Sequence, residues 1–161
     1  MNKGFTLIEL LIVLAIISMM SVLVLSNLGT GEKQFSLVIS AYKLAQDFRK
    51  AQEMAMSSTE FNNEIPGGYG INITNGAKFY ILFADLDNDK LYDSVPINEK
   101  VGGDIYLDGG TISQTSATVV FTPPDPVIDG VPISIVLANP TAVGLSTKTV
   151  KINRAGLISI E

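Results

Sequence analysis

MNKGFTLIELLIVLAIISMM, residues 1–20, decides the fold. From Phe5 to Leu25 the only polar interruptions are Thr6, Glu9, Ser18 and Ser21. As a helix rising about 1.5 Å per residue, this run is roughly 30 Å long, the thickness of a bilayer's hydrocarbon layer. Before it stand only the amino terminus and Lys3, so the positive-inside tendency predicts a cytoplasmic start and an extracytoplasmic remainder. A cleaved secretory signal has a shorter apolar core and a small-residue A-x-A site, and no such site follows Leu25. The run is therefore expected to stay on the chain as an anchor.

Glu9 is the anomaly. A carboxylate in a membrane helix costs about 2.5–3.5 kcal/mol on insertion scales and by default marks function. A plain anchor accommodates it by keeping Glu9 hydrated among the headgroups. Its surroundings suggest more. Gly4 followed by Phe5-Thr6-Leu7-Ile8-Glu9 and an unbroken apolar helix resembles the class III signal of type IV pilins and type II secretion pseudopilins. The resemblance implies that a prepilin peptidase cuts after Gly4 and methylates the new terminus at Phe5, with Glu9 as the acid of the motif. It also implies a partner for that acid. In a filament the apolar helices pack side by side, and the carboxylate of one subunit pairs with the amine of a neighbour, because an unpaired charge there costs several kcal/mol. The amine of the same chain, one helical turn away, is the other candidate partner.

The chain departs from the family at two points. The leader Met1–Gly4 is very short, and the outer end of the apolar segment, Leu25-Ser26-Asn27-Leu28-Gly29-Thr30-Gly31, lacks the proline of many major pilins. Gly29 and Gly31 are expected to weaken the helix there, each by about 1 kcal/mol.

Composition removes whole classes of chemistry. The 161 residues suffice for one anchor and one domain, and they include no cysteine and no histidine. Disulfides, thiol catalysis, a Ser-His-Asp triad and His or Cys zinc sites are all excluded. A net charge of −5 argues against a nucleic-acid-binding surface.

Beyond the glycines a second helix is predicted over 33–57. Leu37, Ala41, Leu44, Phe48, Ala51 and Ala55 recur at steps of four and three, Val38, Tyr42 and Ala45 widen the stripe, and charged residues fall mostly opposite. Strands follow. Residues 68–73 and 78–84 flank Asn75-Gly76, a hairpin signal, and further strands are expected at 104–107, 117–121, 133–137, 147–152 and 157–161. Asp108-Gly109-Gly110, Asp129-Gly130 and residues 153–156 supply turns, and Thr122-Pro123-Pro124-Asp125-Pro126 a loop. The predicted fold is α+β: a long N-terminal helix, its first half membrane-spanning and its second amphipathic, packed on a mostly antiparallel β-sheet. This is similar to the pilin fold. Residues 119–123 and 150–158 also resemble later strands of the H-type minor pseudopilins and related minor pilins.

Asp85-Leu86-Asp87-Asn88-Asp89-Lys90-Leu91-Tyr92-Asp93 asks for separate chemistry. Carboxylates at positions one, three and five, with a backbone carbonyl at seven, open the EF-hand type calcium loop. Here they are Asp85, Asp87 and Asp89 with the carbonyl of Leu91, and Asp93 fills position nine directly or through water. The usual glycine at six is Lys90, and position twelve is Pro96, which has no ligating side chain; Glu99 is the substitute if the loop folds back. The plainer reading is an acidic, solvated turn without a metal. Asn72-Ile73-Thr74 matches a glycosylation sequon, which chance explains better.

These readings converge on a non-enzymatic filament subunit, a minor pilin or pseudopilin of a type IV pilus or type II secretion pseudopilus. It divides into a leader at 1–4, an assembly helix at 5–28 and an extracytoplasmic domain at 29–161. Its expected partners are like or related pilin subunits, a prepilin peptidase, the pilus or secretion assembly machinery and the membrane, with no nucleic acid. The alternative is a monomeric, membrane-anchored, extracytoplasmic module that binds its target with calcium.

Overall fold

The long apolar run and the stripe after it share a 3.6-residue geometry, and no proline interrupts them. The computed structural model describes residues 4–161 apart from 96–97, 115, 126–127, 129–131 and 142–143, and the backbone alone at 26–31, 140–141 and 144–145. Both segments form one helix, α1 (Leu7–Met56), of 50 residues. At 1.5 Å per residue it is about 75 Å long. The two helices expected on either side of Gly29 and Gly31 are thus continuous. Two glycines weaken a helix locally by about 1 kcal/mol each, which does not interrupt it here. Leu7–Leu25 is long and apolar enough to cross a membrane, and none of it is buried among the described residues. The helix stops where Ser57 donates its N–H to the Glu53 carbonyl at 2.9 Å and Ser58 takes a positive φ of 48°.

The outer half of α1 buries the stripe read from its spacing: Leu37, Ala41, Leu44, Ala45, Phe48, Ala51 and Ala55. Tyr42 departs from that reading and is 62% exposed. It lies two turns beyond Phe35, which is also exposed, on a side of the helix that the strands do not cover.

Among the described residues eight strands follow, in two four-stranded sheets rather than one, and every pairing within them is antiparallel. The first sheet has the order β3 (Ile105–Tyr106), β2 (Phe79–Asp85), β1 (Gly68–Ile73), β5 (Ala117–Phe121). The second has the order β4 (Thr111–Ile112), β6 (Ile133–Thr141), β7 (Gly144–Ile152), β8 (Ile158–Ile160). The two-residue strand β4 was not legible in the sequence. It pairs with β6 and also touches the β1–β2 turn, where Gly76 donates to the Ile112 carbonyl at 2.8 Å and Ile112 to the Ala77 carbonyl at 3.0 Å. It thereby links the sheets. In the expected Asn75-Gly76 turn only Gly76 takes a positive φ, 77°. The turn at 153–156 closes as expected, with the Leu157 N–H donated to Asn153 Oδ1 at 2.9 Å and Gly156 at φ 75°. Asp129-Gly130, Pro126 and Pro96 lie outside the described residues.

One core joins α1 to both sheets. Phe48 meets Phe121 edge to face at 6.4 Å, Gln52 donates to the Gly156 carbonyl at 2.8 Å, and the Gly109 N–H donates to the buried Ser40 Oγ at 2.9 Å. Tyr80, 1% exposed on β2, donates its hydroxyl to Asp47 Oδ2 on α1 at 2.5 Å. Burial, and then the neighbouring Asp47 carboxylate, push the Tyr80 hydroxyl far above its usual range. The unfolded chain ionises this phenol near pH 10 and the folded chain does not, so stability falls as pH rises past about 10. Tyr80→Phe should remove that alkaline loss, and at neutral pH should lower stability by about 1.5 kcal/mol. Thermal unfolding of the full chain in detergent between pH 7 and 10.5 reads both effects.

Candidate functional site

At the start of α1, Thr6 is the N-cap, with extended φ and ψ of −82° and 152°. The Glu9 N–H donates to Thr6 Oγ1 at 3.3 Å, while Glu9 Oε2 accepts from the Thr6 N–H and the Thr6 hydroxyl, both at 3.0 Å. This is a capping box, in which the first turn satisfies its own orphan N–H groups. The signal for it, Thr-x-x-Glu ahead of an apolar run, stands in the sequence. The box turns the Glu9 carboxylate back toward the amino end, against the backbone of the residue after Phe5. Gly4 and Phe5 lie ahead of the helix and are exposed, so the Gly4–Phe5 peptide bond is not locked in helical hydrogen bonds. Met1–Lys3 lie outside the described residues.

The aspartate stretch leaves the end of β2. Asp85 is 2% exposed, whereas Asp87 and Asp89 are exposed. One carboxylate oxygen from each of the three lies within 4.8 Å of the others. The loop is folded by its own side chains: Asp89 donates its N–H to Asp87 Oδ1 at 3.2 Å, Leu91 to Asp89 Oδ1 at 2.7 Å, and Lys90 to Asp85 Oδ2 at 3.2 Å. Lys90 replaces the glycine expected at position six in identity but not in conformation, since its φ is 64°. Asn88, at φ 63°, packs so closely over Gly67 that a Cβ there would lie 1.4 Å from Asn88 Oδ1. A side chain at 67 would therefore displace the loop.

Asp93 is not among the three clustered carboxylates. Leu91 enters the loop's hydrogen bonding through its N–H. Glu99 does fold back, as the substitute reading required, and is fully buried at 0% exposure. Its Oε1 accepts the Leu86 N–H at 2.9 Å and its Oε2 accepts the Asp93 N–H at 2.9 Å. Its backbone continues the sheet, with Ala84 donating to the Glu99 carbonyl at 2.8 Å and Val101 to the Leu82 carbonyl at 2.9 Å. Tyr92 stacks edge to face on Phe83 at 5.7 Å. In the sequence Glu99 is legible only as a candidate ligand and Tyr92 not at all, because both contacts depend on the chain returning beside β2.

The electrostatics set Asp85 apart. Burial pushes its carboxyl above the ordinary range, the Lys90 N–H opposes this, and the Glu99 charge adds to it. Asp85 Oδ1 is buried with no hydrogen-bond partner among the described residues. A buried acceptor left in that state costs about 1–3 kcal/mol, and more when charged. An ion or water beside it removes that cost. The donor set is all oxygen and strongly anionic, so Asp85, Asp87 and Asp89 can hold a hard divalent cation.

No curated protein and no solved structure matches the chain. Residues 1–25 match the prokaryotic N-terminal methylation motif. With the Gly4–Phe5 bond exposed ahead of α1 and Glu9 in its first turn, the chain carries at its amino terminus the signal of type IV pilins and pseudopilins.

Proposed function

We propose that the chain is a structural subunit of a type IV pilus or type II secretion pseudopilus, a minor pilin or H-type pseudopilin rather than a major pilin, and not an enzyme. The observation that carries this reading is the methylation motif at residues 1–25, continuous with an exposed apolar helix at Leu7–Leu25. The precursor sits in the cytoplasmic membrane with its amino terminus inside. A prepilin peptidase removes residues 1–4, the assembly machinery extracts the segment 5–28, and the domain 29–161 faces outward. Neighbouring pilin subunits cover the apolar surface that the lone chain leaves bare, and Glu9 pairs with the amine that cleavage creates on Phe5.

Calcium belongs to the same proposal. Asp85, Asp87 and Asp89 supply the carboxylates, with the Leu91 carbonyl and Asp93 completing the shell. When bound, the ion supplies positive charge and fixed coordination to a loop that has no disulfide to close it. A second reading, the membrane-anchored calcium-dependent binding module, is favoured by Asp85 Oδ1, which gives the domain a ligand of its own. Processing separates the two. Intact-mass spectrometry of protein from a host with an active prepilin peptidase should show loss of Met1–Gly4 and one added methyl. A mature chain that keeps Met1 or Asn2 there would sink the filament reading and leave the binding module.

A further inference from the structure

The calcium shell proposed above leaves Glu99 out, although it is the most deeply buried acid of the loop. We propose that Glu99 is the positioning residue of the calcium site: its carboxylate ties Leu86 to Asp93, closing the loop on itself, so that Asp85 Oδ1 is left for the ion. The inference rests on the calcium reading given above and deepens it.

Three observations carry it. First, each Glu99 oxygen is engaged by a backbone N–H at 2.9 Å, from Leu86 on one side of the loop and Asp93 on the other. The side chain therefore spans the segment that contains Asp87, Asp89 and Leu91. Second, Glu99 is itself held by the sheet through its carbonyl, which accepts from Ala84 at 2.8 Å, the residue before Asp85. The clasp and the innermost ligand thus share one rigid support, the end of β2. Third, Asp85 Oδ2 is occupied by the Lys90 N–H while Oδ1 is buried and unpartnered. The loop supplies donors to both oxygens of Glu99 and to Asp85 Oδ2, and among the described residues Oδ1 has no hydrogen-bond partner. Asp85 also belongs to the group in which one carboxylate oxygen from each of Asp85, Asp87 and Asp89 lies within 4.8 Å of the others. Groups behind the ligands of a metal site set its affinity by fixing ligand orientation, and losing one typically costs 10–100-fold.

Terbium, a luminescent stand-in for calcium, tests this on the full chain in detergent. Wild type should bind one terbium ion that calcium displaces. Glu99→Gln keeps the size of the side chain and one of its two acceptors. It should still bind one ion, about 10–100-fold more weakly. The number of water molecules on the ion, read from luminescence lifetimes in light and heavy water, should be unchanged. Asp87→Ala, which removes a ligand, should add water. Extra water on the ion in Glu99→Gln would make Glu99 a ligand and overturn the proposal, as would unchanged affinity. Hydrogen exchange of the wild-type Leu86 and Asp93 amides gives an answer independent of how the variant folds. Both should stay protected with calcium and with chelator, and loss of protection on adding calcium would show Glu99 leaving the clasp for the ion. Absence of terbium binding to wild type would overturn the calcium reading itself, with the processing of Gly4–Phe5 unaffected.

Discussion

Glu9→Leu is expected to insert in the membrane at least as well as wild type and to give few or no filaments. Insertion improves because a carboxylate costing about 2.5–3.5 kcal/mol is gone. Assembly fails because the amine on Phe5 is left without its counter-charge among packed helices, a loss of about 3–5 kcal/mol per subunit contact. The capping box at Thr6 adds a second consequence, since losing it frays the first turn at a cost of about 0.5–2 kcal/mol. Glu9→Gln separates the two effects. Glutamine still completes a capping box but carries no charge. If pairing is the function, Glu9→Gln should assemble as poorly as Glu9→Leu. If the cap is the function, the glutamine variant should assemble normally. Sheared filament yield, set against membrane-fraction content, reads both variants, and normal yield from Glu9→Leu would show that neither pairing nor cap is needed.

Calcium is expected to raise the melting temperature of the domain, and a chelator to remove the increase. An ion bound only by the folded state contributes RT ln(1 + [L]/Kd), about 2.7 kcal/mol at a hundredfold excess over Kd. For a domain of this size each kcal/mol moves the midpoint by about 2–8 °C. Magnesium should do less, because it gives up its waters reluctantly to protein cages. Asp87→Ala should erase the difference and leave the chelated protein about as stable as wild type, since Asp87 is exposed and accepts the Asp89 N–H within its own loop. Differential scanning calorimetry of the full chain in detergent measures the shift. Equal midpoints in millimolar calcium and in chelator would make the aspartates a solvated turn.

The parts of the fold that were legible in the sequence are those set by local period. The buried positions Leu37 through Ala55 follow from spacing alone, and β1 and β5 begin and end where alternation and turn residues put them. What escaped depends on chain segments meeting. The division into two sheets depends on which distant strands meet, and β4, two residues long, takes its strand character from its partners Leu137 and Ala138. Tyr42 fits the apolar stripe by spacing, yet the strands stop short of it. At the candidate site Asp85, Asp87 and Asp89 were legible because metal spacing is local. The clasp at Glu99 was legible only as a candidate, because its role depends on a return of the chain beside β2. Glu9 is the opposite case: its capping role is local and legible as Thr6-x-x-Glu9, alongside its charge.

The bare inner length of α1 limits how such a molecule can travel. Leu7, Ile8, Leu10, Leu11, Ile12 and Leu14 are all exposed, and the pattern continues to Leu25. At about 1.5–3 kcal/mol for each large apolar side chain moved into water, releasing this segment into solvent costs tens of kcal/mol. A single chain therefore has no aqueous resting place. On the filament reading proposed above, it would pass from lipid to the flank of another apolar helix without a dissolved stage between, the filament would grow and shrink only where it meets the bilayer, and a copy inside the stack would stay trapped until the layers beneath it had gone back into the membrane.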